Sequence, residues 1–311
     1  MVKFSLSEDT FNLDHTLMSG QVFRWRKIDD SWIGIVDEEV LRIRMGSMLE
    51  IDGSDNKYSN KVSHYFRLDD DYGNVISSIS KDKHVTMAIR KLIGLRLIRQ
   101  DPWECTISYI CATNSNISSI SRMIENLSRR YGEELEFEGT TYYTFPVVKR
   151  LADADIYDLK GCGLGYRSKF IKETSRRILT EGGIFEELLS LEYYDARSRL
   201  MSKIGGQKAL PGIGPKVADC ILLFSLEKLN AFPIDVWILR VVLEMYQSII
   251  DEQLSKQLRT KIERGFSLNY SDYRIISQSM RDYFGRYSGY AQEFLYYYSR
   301  LRSISESDSS T

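Results

Sequence analysis

The sequence predicts an α+β fold, with an N-terminal antiparallel β-sheet region followed by a helical domain. Residues 22–52 alternate apolar and polar side chains in short runs, which is the pattern of half-buried strands. From about residue 84 onward, apolar residues recur at intervals of three and four, which is the period of an amphipathic helix. We therefore expect a β region over residues 1–82 and a helical domain over residues 83–302.

The individual elements follow from these two patterns. The β region reads as a meander of short strands with turn-like breaks: VFRWRK, SWIGIVD, EVLRIRM and MLEID. The helical part contains amphipathic segments such as VTMAIRKLIGLRLI, WECTISYICA, ISSISRMIENLSRRYG and IYDLKGCGLGYRSKFIKETSRRIL. The last nine residues, 303–311, read SISESDSST and are polar and acidic, so we expect a disordered tail there.

The composition narrows the class of protein. The 311 residues are 43% hydrophobic and 27% charged, and the formal net charge is −1, so any anion-binding surface must be local. The four cysteines form no C-x-x-C pair and the chain has only three histidines, so we expect no zinc or iron–sulfur site. No apolar run suits a secretory signal or a membrane span, so we expect an intracellular protein without a membrane partner.

A glycine-rich turn lies between two apolar segments at about residues 203–226. Its centre reads LPGIGPKVADC, with Gly212 and Gly214 in the turn and Pro215 suited to the first position of a helix. The preceding MSKIGGQKAL is expected to supply a second short helix. Such a turn exposes backbone N–H groups beside a helix start, which can bind a phosphate without reading the base sequence. An ordinary helical hairpin with glycine caps explains the same pattern equally well.

Lys216 follows this turn, on the first turn of the helix. The positive end of the helix dipole and burial would both favour the neutral amine, which is a nucleophile able to form a Schiff base. Such an amine needs a carboxylate nearby to stabilise positive charge. Asp219 lies three positions further on, whereas Asp235, in the run PIDVW, would ordinarily be a helix N-cap. Spacing alone leaves the choice between the two carboxylates open.

Together, LPGIGPKVADC and PIDVW resemble the helix-hairpin-helix Gly-Pro-Asp DNA glycosylases, and specifically the 8-oxoguanine DNA glycosylases. The resemblance covers most of the chain, because further blocks follow in the order of the family. These blocks are SGQVFRW (19–25), YFRLD (65–69), RQDPWEC with ICATNSN (99–116), GLGYR (163–167) and GYAQEFLYY (289–297). The resemblance implies that the all-α domain is a helix-hairpin-helix glycosylase domain, and that residues 285–302 pack with the N-terminal region.

The activity that this resemblance implies is bifunctional DNA repair. Lys216 would attack C1′ of the damaged nucleotide in double-stranded DNA, displace 8-oxoguanine and leave a covalent imine, and β-elimination would then nick the abasic site. Asp235, rather than Asp219, matches the carboxylate on which the family depends. The resemblance also implies no metal and no cofactor. We expect a monomer that works with the genome, in the nucleoid or the nucleus.

Four further residues match positions that hold the flipped base in the family. Oxidation at C8 converts N7 of guanine from an acceptor into an N–H donor, so the carbonyl of Gly20 would attract the lesion and repel guanine. Cys220 would face one side of the base and Gln292 would meet its pairing edge. Tyr296 would stack on the other side, where the family commonly has a phenylalanine.

The resemblance also assigns contacts with the DNA around the lesion. Asn114 and Arg167 match residues that read the orphaned cytosine, and Tyr166 matches the wedge residue beside Arg167. Gly212 and Gly214 belong to the hairpin that would bind the phosphate backbone.

Three positions depart from the family pattern. Ser115 interrupts a run of three asparagines, where the family inserts a larger side chain into the vacated stack. Ser119 replaces an arginine that helps to read cytosine, and Trp237 stands where well-known members have a histidine near phosphate.

Two other classes of function fit parts of the sequence. A non-catalytic helix-hairpin-helix protein would bind DNA through the turn alone, but it would not need both Lys216 and Asp235. A monofunctional glycosylase for another lesion would usually activate water and lack the lysine.

Overall fold

The computed structural model describes residues 2–46, 48–52, 58–204, 206–208, 210–263 and 268–308. Within these residues, the strands are β1 (Val2–Phe4), β2 (Arg26–Ile28), β3 (Ser31–Val36), β4 (Glu39–Met45), β5 (Leu49–Asp52), β6 (Glu134–Phe137), β7 (Thr140–Tyr143), β8 (Lys203–Ile204) and β9 (Gln207–Lys208).

The helices make up most of the described chain. They are α1 (Leu13–Met18), α2 (Tyr58–Tyr65), α3 (Tyr72–Ile79), α4 (Lys83–Lys91), α5 (Pro102–Cys111), α6 (Ile117–Tyr131), α7 (Val148–Asp153), α8 (Ile156–Leu159), α9 (Arg167–Glu181), α10 (Ile184–Ser190), α11 (Tyr193–Leu200), α12 (Pro215–Ser225), α13 (Val236–Met245), α14 (Glu252–Glu263), α15 (Tyr270–Phe284) and α16 (Ser288–Asp308). A π-helical turn at Lys160–Leu164 precedes α9, and a 3-10 turn at Gly285–Tyr287 precedes α16.

The N-terminal sheet has the strand order β1-β5-β4-β3-β2, and all of its pairs are antiparallel. The period-two pattern places Ile43 and Ile51 in a small core of their own, against Trp25 and Phe66. Gly34 is required in β3, because a Cβ there would lie 2.3 Å from the Trp25 ring. The predicted α+β class, with an antiparallel sheet before a helical domain, is confirmed.

Three local predictions differ from the structure. The segment MSKIGGQKAL forms the strands β8 and β9 instead of a second helix, because paired glycines disfavour a helix and Gly206, with φ +81°, suits the turn between strands. Residues 303–308 belong to α16 instead of the expected disordered tail, because no glycine or proline ends the helix before Asp308; residues 309–311 lie outside the described chain. The hairpin β6–β7 also interrupts the helical domain.

A cluster of charges joins the N-terminal region to the end of α12. The side chain of Arg67 is fully buried and forms a bidentate pair with Glu227, at 2.7 and 2.8 Å. Arg99 donates to the same carboxylate at 3.1 Å and to Asp70 at 2.7 Å. Burial favours the neutral form of Glu227, but the two guanidinium groups outweigh it and lower the pKa of the carboxyl. Arg67 belongs to the block YFRLD and Arg99 to the block RQDPWEC, so in this network the two blocks have a structural role.

The core of the helical domain surrounds α12, which is buried from Val217 to its end at Ser225. The last helix, α16, packs closely against it: the N–H of Gly289 donates to the Leu229 carbonyl at 2.9 Å, and a Cβ on Gly289 would lie 2.1 Å from Leu223 Cδ1. None of the described helices is both long and apolar enough to cross a membrane. All four cysteines are buried as free thiols.

The contact at Gly289 generates a prediction about stability. Gly289→Ala should lower the free energy of unfolding by about 1–3 kcal/mol, because the added methyl group would overpack the contact with Leu223. Gly73→Ala is the matched control: Gly73 lies exposed in α3 with room for a Cβ, so alanine should not destabilise the protein. Urea unfolding monitored by circular dichroism measures both, and equal stability of the two variants would contradict the packing argument.

Candidate active site

One large cavity, of about 1090 Å³, opens where α5, α6, α12 and α16 meet the loop after α1. Ten of the residues singled out from the sequence line it: Gly20, Asn114, Ser115, Gly212, Gly214, Lys216, Cys220, Asp235, Gln292 and Tyr296. The departing residue Trp237 also lines the cavity, whereas Ser119, Tyr166 and Arg167 lie outside its lining. Residues more than 250 positions apart in the sequence therefore share one concave site.

The glycine-rich turn that leads into α12 is tight and leaves the start of the helix open, as its glycines predict. Gly212 has φ +88°, and a Cβ there would lie 3.0 Å from Phe170 and 3.2 Å from Ile110, so a larger residue would be strained and crowded. Gly214 is the N-cap of α12, with no side-chain cap and open space where a Cβ would lie. Pro215 occupies the first helical position. Uncapped N–H groups at an open helix start are a suitable site for an anion.

Lys216 is half-buried on the first turn of α12, so its amine reaches the cavity while its backbone is fixed. Its Nζ lies 4.7 Å from the ring centroid of Tyr109 on α5. The Tyr109 ring is in turn stacked on Phe224, with the centroids 5.5 Å apart and the planes 4° apart. This aromatic pair limits the positions that the lysine can adopt.

The structure distinguishes the two candidate carboxylates, Asp219 and Asp235, by their surroundings. Asp219 is fully buried and accepts hydrogen bonds from Tyr193 at 2.8 Å, Arg197 at 2.8 Å and Tyr273 at 2.6 Å. Its oxygens are thus engaged in the core, away from the cavity lining. Asp219 is therefore a structural residue of α12.

Asp235, by contrast, lines the cavity and is also the N-cap of α13, where its Oδ1 accepts from the Ile238 N–H at 2.8 Å. Burial raises the pKa of the Asp235 carboxyl, and the Ile238 N–H and the Lys216 amine partly offset that rise. In this position Asp235 can both cap α13 and act as the charged partner of Lys216.

Gly20 lies in a loop whose neighbouring carbonyls are all engaged. Arg300 donates to the Ser19 carbonyl at 2.9 Å, and Gln100 donates to the Gln21 carbonyl at 2.8 Å. Among the described residues, no donor is hydrogen-bonded to the Gly20 carbonyl. Gly20 has φ +101°, and a Cβ there would lie 2.9 Å from Arg300 Nη1, so this position needs a glycine.

The Gln21 side chain anchors this loop from beneath. Its amide nitrogen donates to the Arg96 carbonyl at 2.9 Å, and its amide oxygen accepts from the Ile98 N–H at 2.7 Å. Because both the nitrogen and the oxygen of this buried amide are hydrogen-bonded, the side chain holds the loop in position.

Three side chains surround the space beside Gly20. Cys220 is buried, and burial raises the pKa of its thiol to about 12 although the Lys216 amine opposes the rise, so the thiol is protonated. Gln292 is 5% exposed, and its Oε1 has no hydrogen-bond partner among the described residues. The ring of Tyr296 lies 5.4 Å from the Arg300 guanidinium.

The residues that the sequence assigns to the DNA around the lesion lie in or beside the part of the cavity wall formed by residues 113–115. Asn114 is exposed in the left-handed region, with φ +50°, and Ser115 lies beside it. Arg167 is buried and donates from Nε to the Thr113 carbonyl at 3.0 Å and from Nη2 to the Asn114 carbonyl at 3.1 Å. Tyr166 is 50% exposed beside the Arg167 guanidinium, 4.7 Å from ring centroid to Cζ.

The other two departing positions, Ser119 and Trp237, occupy the first turns of their helices. The N–H of Ser119 donates to Asn116 Oδ1 at 2.9 Å at the start of α6, and its side chain is half-buried. Trp237 is half-buried near the start of α13, 5.6 Å from the Arg240 guanidinium.

Reasoning from the sequence missed several polar residues of the cavity, among them Tyr109, Glu293 and Arg300. Glu293 lies in the block GYAQEFLYY, next to a residue that was chosen, and Arg300 lies one turn beyond Tyr296. The i, i+3, i+7 spacing of Glu293, Tyr296 and Arg300 is a helical period that places them on one face, and it is the signal that could have identified them.

Comparisons with known proteins agree with this geometry. Residues 3–106 match the family profile of the 8-oxoguanine DNA glycosylase N-terminal domain, and residues 107–267 match that of the HhH-GPD superfamily base excision DNA repair proteins. A probable N-glycosylase/DNA lyase of Methanothermobacter thermautotrophicus is 29% identical, over 94% of this chain and 95% of its own. The N-glycosylase/DNA lyase of Saccharomyces cerevisiae is also 29% identical, over 94% and 85% of the two chains.

Solved structures show the same similarity. The 8-oxoguanine glycosylase/lyase of Clostridium acetobutylicum, in complex with double-stranded DNA containing cytosine opposite 8-oxoguanine, superimposes with a TM-score of 0.81 at 31% identity. The match covers 94% of this chain and 93% of that one. A 3-methyladenine DNA glycosylase of Archaeoglobus fulgidus shares the fold at 18% identity, with a TM-score of 0.70.

Proposed function

The chain belongs to the HhH-GPD superfamily of base excision DNA repair proteins as an 8-oxoguanine DNA glycosylase with DNA lyase activity, and from this premise we propose how its own residues perform the two steps. Lys216 is the nucleophile. The observation that supports this most directly is its amine, in the same cavity as the buried carboxyl of Asp235, while Asp219 is engaged in the core.

In the excision step, the neutral amine of Lys216 attacks C1′ of the damaged nucleotide. The bond from C1′ to N9 breaks, and the base leaves with the bonding electron pair and takes up a proton. Ring opening of the sugar then gives an imine between Lys216 and C1′. Loss of a proton from C2′ expels the 3′ phosphate by β-elimination, and hydrolysis of the imine frees the enzyme. No oxidant or reductant is needed.

Asp235 stabilises the positive charge that develops on the sugar as the base leaves. Its Oδ1 stays bonded to the Ile238 N–H, so the carboxylate is held in place before the substrate arrives. Burial of this carboxylate strengthens its attraction for a developing cation, because little water screens the interaction.

The flipped base occupies the space bounded by Gly20, Cys220, Gln292 and Tyr296. The unoccupied carbonyl of Gly20 accepts the N7–H that only the oxidised base carries, whereas N7 of guanine would be a second acceptor at the same place. The protonated thiol of Cys220 and the ring of Tyr296 contact the two faces of the base. The free amide oxygen of Gln292 meets the pairing edge.

The DNA backbone lies across the uncapped start of α12, where Gly212 and Gly214 allow close approach. Asn114 and Arg167 read the orphaned cytosine, with Ser115 and Tyr166 beside the vacated stack. Because Arg167 already holds the carbonyls of Thr113 and Asn114, it also fixes the shape of that turn. We propose that the protein acts as a monomer, inside the cell and with the genome.

The first prediction concerns the covalent step. With a duplex that carries one 8-oxoguanine, borohydride should trap wild-type protein on DNA by reducing the imine, and Lys216→Gln should give no adduct while still binding the duplex. Lys91→Gln, which alters an exposed lysine on α4, should trap normally. A full yield of adduct from Lys216→Gln, measured on a denaturing gel, would assign the nucleophile elsewhere.

The second prediction separates Asp235 from Asp219. Asp235→Asn should keep its stability, since asparagine caps helices nearly as well, yet slow base excision by about 10²–10³-fold. Asp219→Asn should lower the free energy of unfolding by about 3–5 kcal/mol, because it leaves the buried guanidinium of Arg197 without its charged partner. Single-turnover rates and urea unfolding test the pair, and near-normal excision by Asp235→Asn would restrict that residue to its capping role.

The third prediction concerns the base opposite the lesion. An arginine fork binds cytosine O2 and N3 with charge-assisted bonds, and Ser119 is too short to do so. Without that contact, discrimination should weaken by roughly 1–3 kcal/mol, so 8-oxoguanine opposite A, G or T should be processed at rates closer to the cytosine-paired substrate. Single-turnover cleavage of four duplexes, with Ser119→Arg measured alongside, tests this. Strict exclusion of the adenine-paired substrate, unchanged in Ser119→Arg, would show that another residue performs the reading.

A further inference from the structure

Glu293 is a buried carboxyl inside the proposed base pocket to which the mechanism above gives no role. It lies on α16 between Gln292 and Phe294, is 2% exposed and lines the same cavity as Lys216 and Asp235. Its Oε1 has less than 1 Å² of exposed surface and no hydrogen-bond partner among the described residues. A buried carboxyl oxygen without a donor is costly, so this position is unfavourable for folding and needs another explanation.

Charged and titratable groups face Glu293 from every element around it. On α16 they are Tyr296, Tyr297 and Arg300; from other elements they are Ser19 after α1, Tyr109 on α5, Lys216 on α12 and Asp235 at the start of α13. Burial raises the pKa of the Glu293 carboxyl to about 7, against the lowering effects of the Ser19 hydroxyl, Arg300 and Lys216, while Asp235 adds to the rise. The carboxyl can therefore gain or lose its proton near neutral pH.

The acceptors beside Glu293 Oε1 indicate that a ligand rich in hydrogen-bond donors would suit this part of the pocket. The Gly20 carbonyl and Gln292 Oε1 also have no donor among the residues that the structure describes, so with Glu293 Oε1 the pocket contains three acceptors without a described donor. Oxidised guanine is rich in donors, with N–H groups at N1, N2 and N7. An amide can accept or donate, but an ionised carboxylate only accepts. Glu293 thus adds to the pocket a preference for donors that Gln292 alone would not impose.

We propose, on the basis of the proposed function, that Glu293 is a further lesion-recognition residue whose free carboxylate oxygen accepts a hydrogen bond from an N–H of the flipped oxidised purine. The bond is charge-assisted, so the ionised form of Glu293 binds the lesion more tightly than the protonated form. Lesion binding should therefore strengthen as the pH rises through the value at which Glu293 ionises.

The experiment measures equilibrium binding without turnover. The probe is a duplex with a single 2′-fluoro-8-oxodeoxyguanosine opposite cytosine, since fluorine at C2′ destabilises positive charge on the sugar and blocks excision. The same duplex with guanine at that position is the reference. Fluorescence anisotropy between pH 6 and pH 8 gives Kd for wild type, Glu293→Gln, Glu293→Ala and Glu244→Gln, which removes an exposed carboxylate from α13 as a charge control.

Wild type and Glu244→Gln should bind the lesion duplex more tightly as the pH rises from 6 to 8. Glu293→Gln and Glu293→Ala should lack that pH-dependent gain and bind roughly tenfold to a hundredfold more weakly at pH 8, with guanine-duplex binding unchanged. Because Glu293→Gln and Glu293→Ala both remove the carboxylate, binding by either variant tests the proposal if the other fails to fold.

Wild-type affinity and pH dependence in the Glu293 variants would overturn the proposal. An equal loss for the lesion and guanine duplexes would do so as well, because Glu293 would then support the fold or general DNA binding. Failure of the wild type itself to prefer the lesion duplex would instead contradict the function proposed for the pocket. The two failures are therefore distinguishable.

Discussion

The base pocket depends on one constraint, the anchoring of the loop from Ser19 to Gln21 by polar groups of the helical domain. Arg300 holds the Ser19 carbonyl, Gln100 holds the Gln21 carbonyl, and the Gln21 amide is bonded to the backbone at residues 96 and 98. The Gly20 carbonyl between these two fixed points has no donor among the described residues. The loop lies in the N-terminal region, and its anchors are Arg300 on α16 and the segment 96–100 between α4 and α5.

The cavity contains buried acceptors that no donor among the described residues satisfies. A folded protein usually pairs its buried acceptors, but within the described part of this chain Gln292 Oε1, Glu293 Oε1 and the Gly20 carbonyl have no donor. We propose that an oxidised purine satisfies these acceptors, so that part of the selectivity comes from groups that are costly to leave unpaired in the free enzyme. The Arg67–Glu227 pair and the close packing of α16 are examples of interactions that stabilise the fold elsewhere.

The sequence predicts much of this architecture, and its failures have physical causes. Hydrophobic period locates the sheet, the helices and the start of α12 at Pro215, but it cannot detect a strand pair as short as β8–β9. Spacing alone could not choose between Asp219 and Asp235, because it does not show which carboxylate the fold brings to the cavity of Lys216. Hydrogen bonds from α11 and α15 hold Asp219 in the core, whereas Asp235 lines the cavity. Glu293 was missed because the helical period shows which residues of α16 share a face, whereas which of those side chains reach a cavity is a tertiary property.

The buried cysteines have a consequence for an enzyme whose substrate is made by oxidants. Peroxides attack the thiolate form of cysteine far faster than the thiol. Burial raises the pKa of all four thiols, to about 12 for Cys111 and Cys220, so almost no thiolate exists at neutral pH. We therefore expect peroxides to react slowly with Cys220, so that the oxidising conditions that create 8-oxoguanine would leave this wall of the pocket intact.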